Sequence, residues 1–451
     1  MAGEYRIRPV TLIEGHLEVL VTLGADGKSI EGVRLGAYGF RGFEKLLVGL
    51  GAESVPYVSQ RICGVCPVAH HIAAAKALDA ALGVTPPEYA ELVRKIMHLH
   101  GITQSHLLHT VFMALPDIYG VKSFREVLEF RKEAVKAGIE ALKNCQSIVR
   151  ILGGKHVHPV TAVPGGVTHV ISGEDIEKIE EHCKTALEAF GTMVEGVLDD
   201  YMKYIENKTL VMKHVDTKHL ALKGRDAIEF YQGDIAVAGR SGVERTFGST
   251  EYQEYIEEEA VEYSYSKLTK VVMNGSKYTC RVGPLSRMYC AGTPEYDKAR
   301  ELYDVFKQLE AKYGENPLLY TIARLVETAY CIEATPNLLD ELRRTNAKPR
   351  VRVEPREGEG IAAVEAPRGL LIHHYRLNKN GVVEYANIIT PTVHNLRPME
   401  EDAEATAHLY AGEQGFRGNE FEGIVESIIR AYDPCVSCAT HLVRVKVRKG
   451  E

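Results

Sequence analysis

Two cysteine pairs of identical spacing, Cys63/Cys66 and Cys435/Cys438, are the residues of this chain best suited to chemistry. Two intervening residues let both sulfurs of a pair face one metal. Gly64, Pro67, Pro434 and Ser437 are small or turn-forming and suit the tight backbone this requires. Thiolates favour soft or borderline ions such as zinc, nickel and iron. Spacing alone points first to a closed four-sulfur zinc site. A zinc ribbon, however, keeps its pairs roughly 15–20 residues apart, whereas these stand near opposite ends of the chain. Polar residues that a structural site does not need surround both pairs. A redox pair would explain one motif and leave the other unexplained.

For the pairs to meet, the chain must close on itself, which favours one large, mostly helical unit over a string of modules. The first segment alternates: Leu17, Val19, Val21 and Leu23 share one side of a strand, Asp26-Gly27 signals a hairpin, and residues 30–40 return. Helical patterns follow. Pro86 and Pro87 suit a helix start, with Leu92, Ile96 and Leu99 on one face. Ser123 and Glu126 read as a capping box opening a helix that runs to Gly153-Gly154, and Ser172 and Asp175 open another to about residue 207. Residues 295–313, 316–333 and 420–432 read as helices, and 370–389 as a hairpin about Asn380-Gly381. Residues 208–290 are mixed and unplaced. The fold expected is mainly α with smaller β-hairpin regions (α+β), without internal repeats.

The remaining five cysteines, Cys145, Cys183, Cys280, Cys290 and Cys331, are scattered singly, and the odd total of nine speaks against a disulfide framework. Buried packing is expected of each. With 54 basic against 61 acidic residues and a net charge of −7, the chain is a poor general nucleic-acid binder. The start, MAGEYRIRPV, carries no apolar segment of signal length, and no run of about 18 apolar residues marks a membrane span. A cytoplasmic protein is the expectation.

Arg61-Ile62-Cys63-Gly64-Val65-Cys66-Pro67-Val68-Ala69-His70 and Asp433-Pro434-Cys435-Val436-Ser437-Cys438-Ala439-Thr440-His441 together resemble the two signatures of nickel–iron hydrogenase large subunits. Glu14-Gly15-His16, Phe40-Arg41-Gly42-Phe43-Glu44, His158-Pro159 to Pro164-Gly165-Gly166, Gly283-Pro284-Leu285-Ser286-Arg287 and Glu365-Ala366-Pro367-Arg368-Gly369 extend the likeness. It is weakest over roughly 200–280. The wording around the motifs is most similar to the cytoplasmic group-three, methyl-viologen-reducing branch that supplies heterodisulfide reductase, with deazaflavin-reducing and pyridine-nucleotide-linked types open. A structural zinc scaffold is the alternative of a different class, and a hydrogen-sensing or complex I-like relative is a third reading.

The resemblance implies a single catalytic domain over 1–441 with a central helical bundle. It implies nickel held by Cys63, Cys66, Cys435 and Cys438, with Cys66 and Cys438 bridging to an iron that carries one carbon monoxide and two cyanides. Dihydrogen is split heterolytically. Cys435 is the first proton acceptor and Glu14 the relay, the alternative for Glu14 being a hydrogen-bonded carboxylate at a strand turn. Arg368 stands above the metals, or else forms a surface ion pair with Glu365. Pro367, Leu371 and Thr392 line the diatomic pocket, Asp433 orders Arg368, and His70 bonds a bridging sulfur. A strand-end threonine and a packing histidine are the plain alternatives for Thr392 and His70. Ser105 stands where many members carry an aspartate. His71, His106 and His109 have no such support. Glu44 and His441 match a magnesium site, with a carbonyl from about 388–390. Residues 442–451 form an extension that a maturation protease removes, or an exposed strand. With no further cluster-like cysteines, electrons must leave through an iron–sulfur small subunit that docks near Glu14 and the first cysteine pair.

Overall fold

In the computed structural model, residues 3–40, 42–413 and 415–440 are described. The first three strands, Gly3–Ile7, His16–Leu23 and Ile30–Tyr38, form an antiparallel sheet in chain order. Its inward side chains Leu17, Val19, Val21, Val33 and Leu35 are buried, as the alternation requires. Cys66 then caps the helix Pro67–Leu82, with Pro67 at the first helical position. This alanine-rich helix is buried along nearly its whole length. It packs on the strand Gly358–Ala366. A Cβ at Gly358 or Gly360 would collide with the carbonyls of Ala81 and Ala77, so glycine sets the close approach of helix to sheet.

The central bundle consists of Glu88–His109, Lys132–Gly153, Gly173–Thr209 and Leu319–Arg344, packed against one another. The predicted cap at Ser172 is complete: its hydroxyl accepts from the Asp175 backbone N–H, and Asp175 reaches back. The helix expected to run from residue 124 to Gly153 is instead two helices. Phe124–Phe130 ends, and Lys132–Gly153 begins after Arg131, which leaves helical geometry (φ −127°) and pairs with Asp200 at 2.8 Å. Ser123 bonds the Glu126 side chain rather than a backbone N–H. The helix expected over 316–333 runs from Leu319 to Arg344, past Pro336. Its extension is anchored by buried Leu338, Leu339 and Leu342.

The unplaced region is β-rich. Lys218–Lys223, Asp234–Gly239, Gly242–Phe247 and Cys280–Arg281 make a four-stranded sheet in which the last strand pairs parallel with the first. Ile256–Ala260, Lys267–Met273 and Ser276–Tyr278 make a three-stranded one. The expected hairpin is present as Gly369–Leu377 and Val383–Ile389, turning at Gly381 with φ +69°. Gly358–Ala366 adds a third antiparallel strand that the sequence pattern did not reveal. The chain returns through the helices Pro391–Ala407 and Gly418–Tyr432 to the short turn Val436–Ala439. Together these elements make a helical structure with several small sheets, in keeping with the α+β expectation. Among the described residues no helix is long and apolar enough to cross a membrane.

Candidate metal centre

The helix Gly418–Tyr432 ends on Asp433 in the left-handed conformation (φ +55°), a geometry aspartate tolerates better than most residues. The chain then extends through Cys435, whose neighbour Val436 donates its N–H to the Glu14 carbonyl at 3.0 Å. Gly15, next along, has φ +87°, and a Cβ there would lie 2.7 Å from Val436 Cβ. The two ends of the chain are thus fastened at Glu14–Cys435.

This fastening brings both cysteine pairs together. Cys63 and Cys435 sulfurs lie 3.1 Å apart, Cys66 and Cys438 3.4 Å, and Cys435 and Cys438 2.9 Å. All four donor atoms fall within 4.8 Å of one another and all four residues are buried. None of the nine cysteines forms a disulfide, and the five single ones are buried as expected. Hydrogen bonds from Cys435, Cys438 and Cys66 hold the Cys63 thiol well below its ordinary range, whereas burial pushes Cys435 and Cys438 well above theirs. A negative charge concentrated at one sulfur is what an uncompensated buried quartet supports. A bound cation is what allows all four to ionise.

Charged and polar groups converge on the quartet. Glu14 Oε2 lies 3.2 Å from Cys435 Sγ and accepts from the Ser437 N–H at 3.0 Å, and Ser437 Oγ bonds the other carboxylate oxygen. Arg368 is buried. Its Nη2 meets Asp433 Oδ1 at 2.9 Å, its Nε donates to the Asp433 carbonyl at 2.6 Å, and Nη1 reaches Ser105 Oγ at 3.3 Å. Burial opposes the charge of Arg368, but Asp433 and the sulfurs of Cys435, Cys66 and Cys63 outweigh it and hold the guanidinium protonated. His70 Nε2 stands 3.5 Å from Cys438 Sγ. Thr392 Oγ1 accepts from the Cys435 N–H at 2.9 Å, which leaves the hydroxyl proton to donate elsewhere. A cavity of about 10 Å³ adjoins the quartet, walled by Cys66, His70, Ala366, Pro367, Arg368, Pro391, Thr392, Cys435 and Cys438.

The family description nickel-dependent hydrogenase matches residues 41–126 and 202–441. The chain belongs to the nickel-dependent hydrogenase family. It is 34% identical to one of the subunits of the F420-non-reducing hydrogenase of Methanothermobacter marburgensis, over 98% of this chain and 95% of the relative. It is also 34% identical to the alpha subunit of sulfhydrogenase 1 of Pyrococcus furiosus, over 97% and 99%. Among solved structures, an NAD+-reducing NiFe hydrogenase in the H2-reduced state superposes with a TM-score of 0.89 at 28% identity, covering 97% of this chain and 99% of that one. The chain is accordingly the catalytic large subunit of a hydrogenase with a nickel-containing site. That membership displaces the zinc alternative, and the meeting of both pairs displaces the one-pair redox alternative.

Other expected residues fall as follows. The ion pair between Arg368 and Glu365 does not form. Glu365 instead bonds Arg287, which also binds Glu327 at 2.6 Å and donates to the Ala366 and Pro367 carbonyls at 3.2 and 3.3 Å. Arg287 therefore fixes the turn that presents Arg368. Leu371 is buried in the strand Gly369–Leu377 but is not among the cavity walls, where Ala366 and Pro391 stand instead. His71, His106 and His109 have structural partners: the Pro56 carbonyl, Glu327 and the Arg430 carbonyl. Glu44 is buried and accepts from the Ile388 N–H at 2.8 Å. His441 and the extension 442–451 lie outside the described residues. Sequence reasoning missed Ser437 as a partner of Glu14, although its position between the last two cysteines was the available signal.

Proposed function

We propose that this subunit splits dihydrogen reversibly at a nickel–iron pair, which Cys63, Cys66, Cys435 and Cys438 would hold, with Cys66 and Cys438 serving the iron as well as the nickel. The observation that carries this reading is a buried quartet of thiols with a carboxylate 3.2 Å from one of them. The donor set fits the group: four sulfurs suit nickel and iron, and the adjoining polar groups answer the needs of a reacting site rather than a closed structural one. When bound, the metal pair carrying carbon monoxide and two cyanides supplies the heterolytic cleavage of dihydrogen.

The chain's own residues handle the proton and the field. Cys435 accepts the proton at sulfur, and Glu14 Oε2 takes it next across 3.2 Å, a distance suited to direct transfer. Ser437 holds that carboxylate in place through two bonds. Glu14 is only half-buried and so joins the dry quartet to the surface side. Arg368, kept charged and oriented by Asp433, stabilises negative charge beside the quartet without rearranging during the reaction. Thr392 and Pro367 complete the pocket for diatomic ligands. Glu44 and His441 hold magnesium. Electrons pass to an iron–sulfur small subunit docked near Glu14 and Cys63.

The subunit works in the cytoplasm, feeds a heterodisulfide reductase, and loses residues 442–451 to a maturation protease. The likeness to an F420-non-reducing hydrogenase speaks for an acceptor other than F420, while relatives named for sulfur and NAD+ make those acceptors the second reading. Elemental analysis with infrared spectroscopy tests the proposal. Nickel and iron together with carbon monoxide and cyanide stretches are expected, whereas zinc without such bands would end it. Mass spectrometry of active protein should end the chain at His441, and an intact Glu451 would contradict the cleavage.

A further inference from the structure

One buried chain of side chains leads away from the quartet and has no part in the steps above. His70 Nε2 faces Cys438 Sγ at 3.5 Å, and His70 Nδ1 faces His373 Nε2 at 3.1 Å. His373 Nδ1 faces the Tyr375 hydroxyl at 2.6 Å. All three side chains are buried. His373 and Tyr375 are two apart on the strand Gly369–Leu377, so they share the face turned toward the helix Pro67–Leu82 that carries His70. Ser59 bonds Tyr375 at the far end.

The proton positions in this chain follow from its two ends. A metal-bound Cys438 thiolate has no proton and can only accept, so His70 Nε2 must carry the hydrogen. A neutral His70 then accepts at Nδ1, which obliges His373 Nε2 to donate. His373 in turn accepts at Nδ1, which obliges the Tyr375 hydroxyl to donate. Burial pushes the Tyr375 phenol well above its ordinary range, so that proton stays available. Every bond points the same way, from tyrosine to sulfur, and bonds aligned like this polarise one another.

We propose that His373 and Tyr375 are positioning residues that lock His70 in its Nε2–H tautomer, and so set the strength of the N–H bond to the Cys438 sulfur and the electron density it shares with the metals. The inference rests on the nickel–iron reading above. Residues that orient a metal ligand's neighbours commonly tune the metal in this way.

The test uses the purified, metal-loaded complex with Tyr375→Phe, His373→Leu and His373→Gln, read by infrared spectroscopy and redox titration. Loss of donation leaves the sulfur richer in electrons. The diatomic stretches should therefore move to lower wavenumber and the midpoint potential should fall, slightly in Tyr375→Phe and further in His373→Leu. Glutamine places an amide N–H where the ring Nε2 stood, so His373→Gln should return both readouts toward wild type. Bands and potential that stay at wild-type values in both Tyr375→Phe and His373→Leu, at full metal content, would overturn the proposal. Should His373→Leu fail to fold, an unshifted Tyr375→Phe overturns it alone. Wild-type complex without diatomic bands would instead mark failure of the nickel–iron reading itself.

Discussion

Glu14→Gln isolates the proton route from everything else the site does. Glutamine keeps the length and volume of glutamate, and its amide oxygen can still accept from the Ser437 N–H, now at 3.0 Å from Oε2. The link between the Glu14 carbonyl and the Val436 N–H is backbone and survives. Stability and metal content should therefore stay at wild-type values. What disappears is the ionisable carboxyl 3.2 Å from Cys435 Sγ. Losing a positioned acid–base costs about 10²–10⁴ in rate, equivalent to roughly 3–5 kcal/mol of barrier. Glu14→Asp shortens the arm by one methylene and withdraws the carboxylate by about 1.5 Å, beyond direct reach but still bridgeable by water, so part of the rate should return. The assay compares hydrogen uptake and hydrogen–deuterium exchange at matched nickel content. Both should fall together in Glu14→Gln. A Glu14→Gln enzyme that turns over and exchanges at the wild-type rate would refute the route.

The pairing of Arg368 with Asp433 should show strong coupling. Arg368→Met or Asp433→Asn alone should cost about 3–5 kcal/mol, because each strands a buried charge, and the double variant should cost clearly less than the sum. Additivity in denaturant titrations would contradict this. Gly15→Ala forces a side chain into a φ of +87° and against Val436. It should lower stability by about 1–3 kcal/mol and reduce nickel content, and an unchanged denaturant midpoint would count against the fastening role. Burial lowers His71 and His106 to about 4, and His98, His100, His109 and His394 to about 3. The unfolded chain binds these protons first, so stability should be lost as pH falls from about 6.5 toward 4, by about 1.4 kcal/mol per pH unit for each histidine. His98→Gln should flatten that slope by one proton, and a flat stability profile across the window would reject the assignment.

What could be read from the sequence was what local rules encode. The Ser172 cap, the Asn380-Gly381 hairpin and the alternation in His16–Leu23 each rest on neighbouring residues, and each is present. The cysteine spacing and its flanking motifs pointed to the quartet before any geometry was known. Nonlocal partners escaped. Gly358–Ala366 hides its strand character behind glycines and alanines whose small size serves the helix pressed against them. Arg131 breaks a helix because Asp200, far along the chain, pairs with it. Pro336 does not end its helix because buried leucines beyond it hold the next turns in place. His373 and Tyr375 follow the period-two pattern of a buried strand, and nothing in that pattern marks two polar residues as facing a sulfur's neighbour.

The same geometry constrains how the centre is filled. The four sulfurs are buried and the adjoining cavity holds about one water-sized body, so the closed site offers no entry for metals with their ligands. Two of the donors, Cys63 and Cys66, are buried on the turn before the helix Pro67–Leu82, although Gly64 between them is exposed. The other two lie on the last described turn, held to the rest by Glu14, Thr392 and the short extended link after Asp433. Both turns are anchored: Val436–Ala439 is buried at every residue, and the first pair is joined to the long buried helix Pro67–Leu82, so the C-terminal turn is the shorter segment to displace.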